Sequence, residues 1–132
     1  MLKGIRNLAT GVAVLAATGA GVVAAPTAAH AASYNGACGS GYGVVDSMPV
    51  AGGTVYLTYD GFSNCVVTVS NTPGVANWTV AEIAISGGGW VPNSGNFKYY
   101  AGPVYVYGTA GQCVDWAGYL GTWATRYNSH CG

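Results

Sequence analysis

A strict alternation of aliphatic and tyrosine or threonine residues, cut at short intervals by glycine, constrains this chain more than any other feature. It is written twice. "GGTVYLTYDGFSNCVV" at 52–67 and "AGPVYVYGTAGQCVD" at 101–115 both read Gly, one residue, Val-Tyr, an aliphatic residue, turn residues and then Cys-Val. Side chains on a strand point alternately to its two faces, so a period of two is a half-buried strand. In "TVYLTYD" at 54–60, Val55, Leu57 and Tyr59 share one face and Thr54, Tyr56 and Thr58 the other. After the turn "GFSN", "CVVTVS" at 65–70 sets Cys65, Val67 and Val69 on one face and Val66 and Thr68 on the other. These two runs form a hairpin. In "PVYVYG" at 103–108, Val104 and Val106 point inward and Tyr105 and Tyr107 outward. The two units form a weak internal repeat and could face each other across a core.

Further short runs complete the pattern. "YGVVD" at 42–46 is a strand ended by the turn-prone "SMPVAGG". "WTVAEIAIS" at 78–86 reads as a strand with Ala81, Ile83 and Ile85 inward and Glu82 in solvent; a helix over "VAEIAIS" is the alternative, but the run is short and flanked by Gly on one side. "GGGWVPNSG" at 87–95 reads as a loop and "NFKYY" at 96–100 as a short strand. "QCVDWAG" and "TWATRYN" make a closing hairpin around "YLG". No segment carries helical caps with a sustained 3.6-residue period. The chain is expected to be all-β, a small antiparallel sandwich or barrel of seven to eight short strands.

The N-terminus is of another kind. Lys3 and Arg6 precede an Ala/Gly-rich apolar run, which ends in "PTAAHA" with a small-x-small site at Ala29-His30-Ala31. This is the layout of a secretory signal peptide over 1–31, with cleavage after Ala31. The alternative, a membrane anchor, suits the length of the run. Its glycines and threonines and the lack of a following basic cluster argue against it. A single domain of 101 residues, 32–132, remains. A core of this size is marginal alone. All four cysteines, Cys38, Cys65, Cys113 and Cys131, lie in it. An even count in a short exported chain implies two disulfides. A meander that returns Cys65 to the end of Cys38, and a closing hairpin that leaves Cys113 beside Cys131, favour Cys38–Cys65 with Cys113–Cys131. The nested pairing Cys38–Cys131 with Cys65–Cys113 is the alternative.

Charge excludes whole classes of function. Beyond residue 31 the chain carries Lys98 and Arg126 against Asp46, Asp60, Glu82 and Asp115. Nucleic-acid binding needs a basic stripe, and polybasic membrane attachment needs a cluster; neither is present. No metal or other cofactor is expected, since there is no Cys-x-x-Cys pair and the domain has a single histidine, His130. His130 lies beside no nucleophile motif. Asp115, on the face of Cys113 by alternation, is expected to be partly buried and to need a partner. Arg126, on the adjoining strand, is the expected structural ion pair for it. No catalytic residue stands out, and the protein is not expected to be an enzyme.

The aromatic residues carry the sharper signal. Four tryptophans and ten tyrosines serve a domain with little charge. Outward-facing Tyr56, Tyr105 and Tyr107, with Trp90 in a Gly-rich loop beside Asn93 and Ser94, are the candidate glycan-binding residues. Cross-strand pairing that stiffens a sheet would explain the same residues. The uncharged strands also favour self-association.

"ASYNGACGSGYGVVDS" at 32–47, "GGTVYLTYDGFSNCVVTVSNTPG" at 52–74, "YAGPVYVYGTAGQCVDWAG" at 100–118 and "RYNSHCG" at 126–132 together resemble the spore-associated protein A family of streptomycetes and related actinobacteria. The resemblance implies a small secreted protein found with spores or the cell exterior, and assigns no catalytic or ligand residue. The expected function is therefore a secreted, non-enzymatic spore- or cell-surface protein of structural or adhesive type. Its partner would be a cell-wall or spore-surface polymer, or copies of itself. The alternatives are a glycan-binding module and a secreted inhibitor or toxin-like factor acting through loop 87–95.

Overall fold

The computed structural model describes residues 31–132. The expected signal peptide, apart from Ala31, lies outside the described residues. Eight strands form: β1 (Gly43–Val50), β2 (Gly53–Tyr59), β3 (Ser63–Ser70), β4 (Asn77–Ile85), β5 (Val91–Phe97), β6 (Tyr100–Tyr107), β7 (Val114–Leu120) and β8 (Thr122–Ser129). They make two four-stranded antiparallel sheets, ordered β1-β2-β3-β6 and β5-β4-β7-β8. Among the described residues there is no helix, and the Val80–Ser86 stretch lies in or at the end of strand β4. Both disulfides follow the favoured pairing, Cys38–Cys65 and Cys113–Cys131.

The core lies between the sheets and follows the alternation. Met48, Val55, Leu57, Val66, Val104 and Val106 from the first sheet meet Ala81, Ile83, Val114, Trp116 and Leu120 from the second. The sheets approach closely at Gly118, where an added Cβ would run into Thr68 Oγ1 and Val55 Cγ2. Thr68 Oγ1 uses that proximity to donate a 2.7 Å hydrogen bond to Val80 O on the opposite sheet.

Two stretches that read as turn or loop are strands. "SMPV" continues β1 to Val50, and "VPNSGNF" is β5. Pro49, Pro92 and Pro103 all sit on edge strands, where a missing N–H costs no ladder bond. Proline therefore marked sheet edges here rather than breaks. The segment 87–95 is consequently a short turn running into an edge strand, not one exposed loop. The doubled phrase does not face itself across the core. β2 and β6 flank β3 within one sheet, and the second copy crosses to the other sheet before its cysteine. The open edges are laced by side chains. Asn93 Oδ1 accepts from Gly102 N at 2.8 Å on one side, and Arg126 meets Asp46 on the other.

Candidate functional site

Strand β3 is buried on both faces, and this decides the fate of the outward tyrosines. Cys65, Val67 and Val69 point away from the main core and build a second cluster with Cys38. Residues 32–42 lie over this outer face as a strap, fixed by Cys38–Cys65. Tyr56 and Tyr105 are in register with Val67 and Cys65 and do point outward. They meet the strap instead of solvent. Tyr56 donates its hydroxyl to Ala32 O, and Tyr105 donates to Cys38 O at 2.9 Å. Tyr34 stands edge-on to Tyr56, and Tyr42 edge-on to Tyr105, each with ring centres 5.7 Å apart. Burial, then the neighbouring phenols, raises the Tyr105 pKa; burial and then Asp60 raise that of Tyr42. Tyr107, 64% exposed, stacks on Tyr105 with centres 5.8 Å apart and remains accessible. Two of the three candidate tyrosines thus have an internal partner.

The outer face of the second sheet has no such cover among the described residues. Register places Ser94, Val80, Tyr119 and Trp123 in one row across β5, β4, β7 and β8. Pro92, Glu82, Ala117 and Thr125 form the next row. Trp78 lies on the same face beyond Val80, and Ala84 beyond Glu82. Trp78 is 52% and Trp123 56% exposed, and Tyr119 packs against Trp123 at 5.3 Å. At the other end of the face, Trp90 meets Tyr127 edge-on with centres 6.3 Å apart. Between these aromatic groups lie the buried Ala84 and Ala117 and the part-buried Glu82. Trp78 begins four residues, about 13 Å, along β4 from Glu82, and Trp90, one residue before β5, falls opposite Ala84 when the pairing of Val91 with Ile83 is extended. Burial pushes the Glu82 carboxyl above its ordinary pKa. Of the four residues proposed from sequence, Trp90 and Tyr107 are exposed, on different sheets. Trp78, Tyr119, Trp123 and Tyr127 were missed. The signal was present: the alternation that puts Glu82 in solvent puts Trp78 on the same face, and Trp123, Thr125 and Tyr127 alternate too.

The expected Asp115–Arg126 ion pair does not form. β7 and β8 do pair, but Arg126 is in register with Trp116, so it shares the inward face with Trp116 and not the outward face with Asp115. Its guanidinium lies 5.8 Å from the Trp116 ring centre, and its Nη1 contacts Asp46 Oδ2 at 2.7 Å, joining the edges of the two sheets. Asp115 is satisfied locally: Oδ1 accepts from Ser86 Oγ at 2.6 Å and Asn128 N at 2.9 Å. His130 Nε2 lies 3.2 Å from Asp46 Oδ2. Partial burial opposes ionisation of Asp46, but the Arg126 and His130 contacts outweigh it and hold the carboxyl below its usual pKa. Asp60 is held low by the backbone N–H groups of Ser63 and Phe62, which it caps across the β2–β3 turn. A cleft of about 220 Å³ opens beside His130, lined also by Val45, Tyr59, Asn64 and Thr109. No group of three potential metal ligands occurs among the described residues.

Comparison with known proteins gives a family. No family model matches the chain, and no solved structure matches it. Spore-associated protein A of Streptomyces coelicolor is 49% identical over 113 residues, covering 82% of this chain and 73% of the relative. Identity of that extent over that share of the chain shows common descent, and the chain belongs to the spore-associated protein A family.

Proposed function

We propose that this is an exported, non-enzymatic protein of the spore or cell surface that adheres to a hydroxyl-rich wall polymer through the open face of its second sheet. The carrying observation is the contrast between the two outer faces. One set of aromatics is consumed by the strap, whereas Trp78, Tyr119 and Trp123 are left around a floor of small residues and one carboxylate. Flat rings with polar tips suit the mixed apolar and hydroxyl faces of a sugar chain. Glu82 would accept hydrogen bonds from hydroxyls. The two rows around Val80 and Glu82 hold no basic residue, which suits an uncharged polymer better than an anionic one. The relative's name supports spore association, and two disulfides suit an oxidising compartment. The non-enzymatic reading is supported by the employment of Asp46, Asp60 and Asp115 in structural contacts. The inhibitor reading loses its main support, because residues 91–95 belong to an edge strand.

Pelleting of the 32–132 protein with chitin, cellulose, purified peptidoglycan and intact spores tests this. Retention on at least one polymer is expected. The Trp78→Ala/Trp123→Ala double variant should bind at least ~10-fold more weakly, about 1.4 kcal/mol, with little change in melting temperature. Retention on none, or binding unaltered in the double variant, would sink the proposal. Retention on spores alone that depends on protein concentration would instead indicate self-association.

A further inference from the structure

The strap begins at a defined place. Ala32 N donates to Asn71 Oδ1 at 2.9 Å, and Ala32 O accepts the Tyr56 hydroxyl. The Ala32 side chain packs on the cluster of Cys38, Cys65, Val67 and Val69. Three contacts therefore converge on one residue, while its predecessor Ala31 is exposed. Asn71 is itself fixed, since its backbone N donates to Gly52 O at 2.8 Å. The small-x-small motif, which knows nothing of this packing, places a cut at the same bond.

We propose that Asn71 and Tyr56 form a seat for a newly created N-terminus, and that the exported protein begins at Ala32. An endopeptidase selective for small-x-small sites would hydrolyse the Ala31–Ala32 peptide bond with one water. The carboxyl goes to Ala31 and the amine to Ala32, where it is protonated at neutral pH. The neutral N–H donor to Asn71 Oδ1 then becomes an ammonium, and hydrogen bonds with one charged partner are roughly twice as strong as neutral ones. Cutting thus tightens the strap over the tyrosine face. Removal of one further residue would strip both backbone anchors. Capture of an N-terminal amine by fixed oxygen acceptors is a known mode of recognition. Here the ligand is the chain's own first residue.

Intact-mass measurement of the protein exported from a secreting host should give a chain starting at Ala32. Chains prepared to start at Ala31, Ala32 and Ser33 are then melted. The Ala32 form should be the most stable, by about 4–8 °C over the Ala31 form and by more over the Ser33 form. Asn71→Ala should erase the difference between the Ala31 and Ala32 forms. Asn71→Asp, which keeps the side-chain shape and adds a charge, should widen it. An exported chain starting elsewhere, or an Ala31–Ala32 difference indifferent to both Asn71 variants, would overturn the proposal.

Discussion

Removal of the Cys38–Cys65 bridge would test how the strap is coupled to the sandwich. The bond closes a loop with a sequence separation of 27, against 18 for Cys113–Cys131. In the chain-entropy description these loops stabilise the fold by about 3.5 and about 3.2 kcal/mol. A domain of this size loses about 4–8 °C of Tm per kcal/mol, so each deletion should lower Tm by about 13–28 °C. Global cost alone would barely separate them, but local consequences should. Cys38→Ala/Cys65→Ala cuts the one covalent tie between strap and β3. Tyr34, Tyr42, Tyr56 and Tyr105 should then gain solvent access below the melting transition. Cys113→Ala/Cys131→Ala should leave them covered. Calorimetry gives the first quantity, and tyrosine solvent-perturbation spectra with hydrogen exchange of residues 32–42 give the second. A Cys38→Ala/Cys65→Ala variant melting within about 3 °C of the parent while its tyrosines open would refute the reasoning. The strap would then be an appendage, and the loop closed by the bond would not matter to global unfolding.

Two smaller perturbations probe the edge and the centre of the sandwich. Asp46→Asn should destabilise by less than about 1 kcal/mol, because Arg126 is half exposed. The folded-state pKa of Asp46 is depressed, so its contribution is present above the unfolded value of about 3.9 and is lost as pH falls through the folded value. The difference between variant and parent in urea titrations should therefore be full at pH 6 and shrink below about pH 4. Gly118→Ala should cost about 1–3 kcal/mol by overpacking against Val55 and Thr68, measured as a lower urea midpoint at unchanged m-value.

The alternation in the chain was enough to determine an all-β fold, the inward residues of β2, β4 and β6, and the cysteine pairing of choice. These are local properties: a strand's two faces and the reach of a hairpin follow from the order of residues along it. The strap was not legible, because nothing local to Tyr56 or Tyr105 records what another segment lays over them. Asp115 and Arg126 show the same limit. Adjacent strands were correctly paired, but a one-residue difference in register turns a side chain to the other face, and the tight turn between Leu120 and Thr122 sets the register that puts Arg126 opposite Trp116. Prolines that looked like breaks were edge residues, and edge or centre is a property of the sheet. The order of residues along each strand dictates which side chains turn outward; which outward face stays open depends on long-range packing, because a strap tied at Cys65 covers one sheet and leaves Trp78 and Trp123 uncovered on the other.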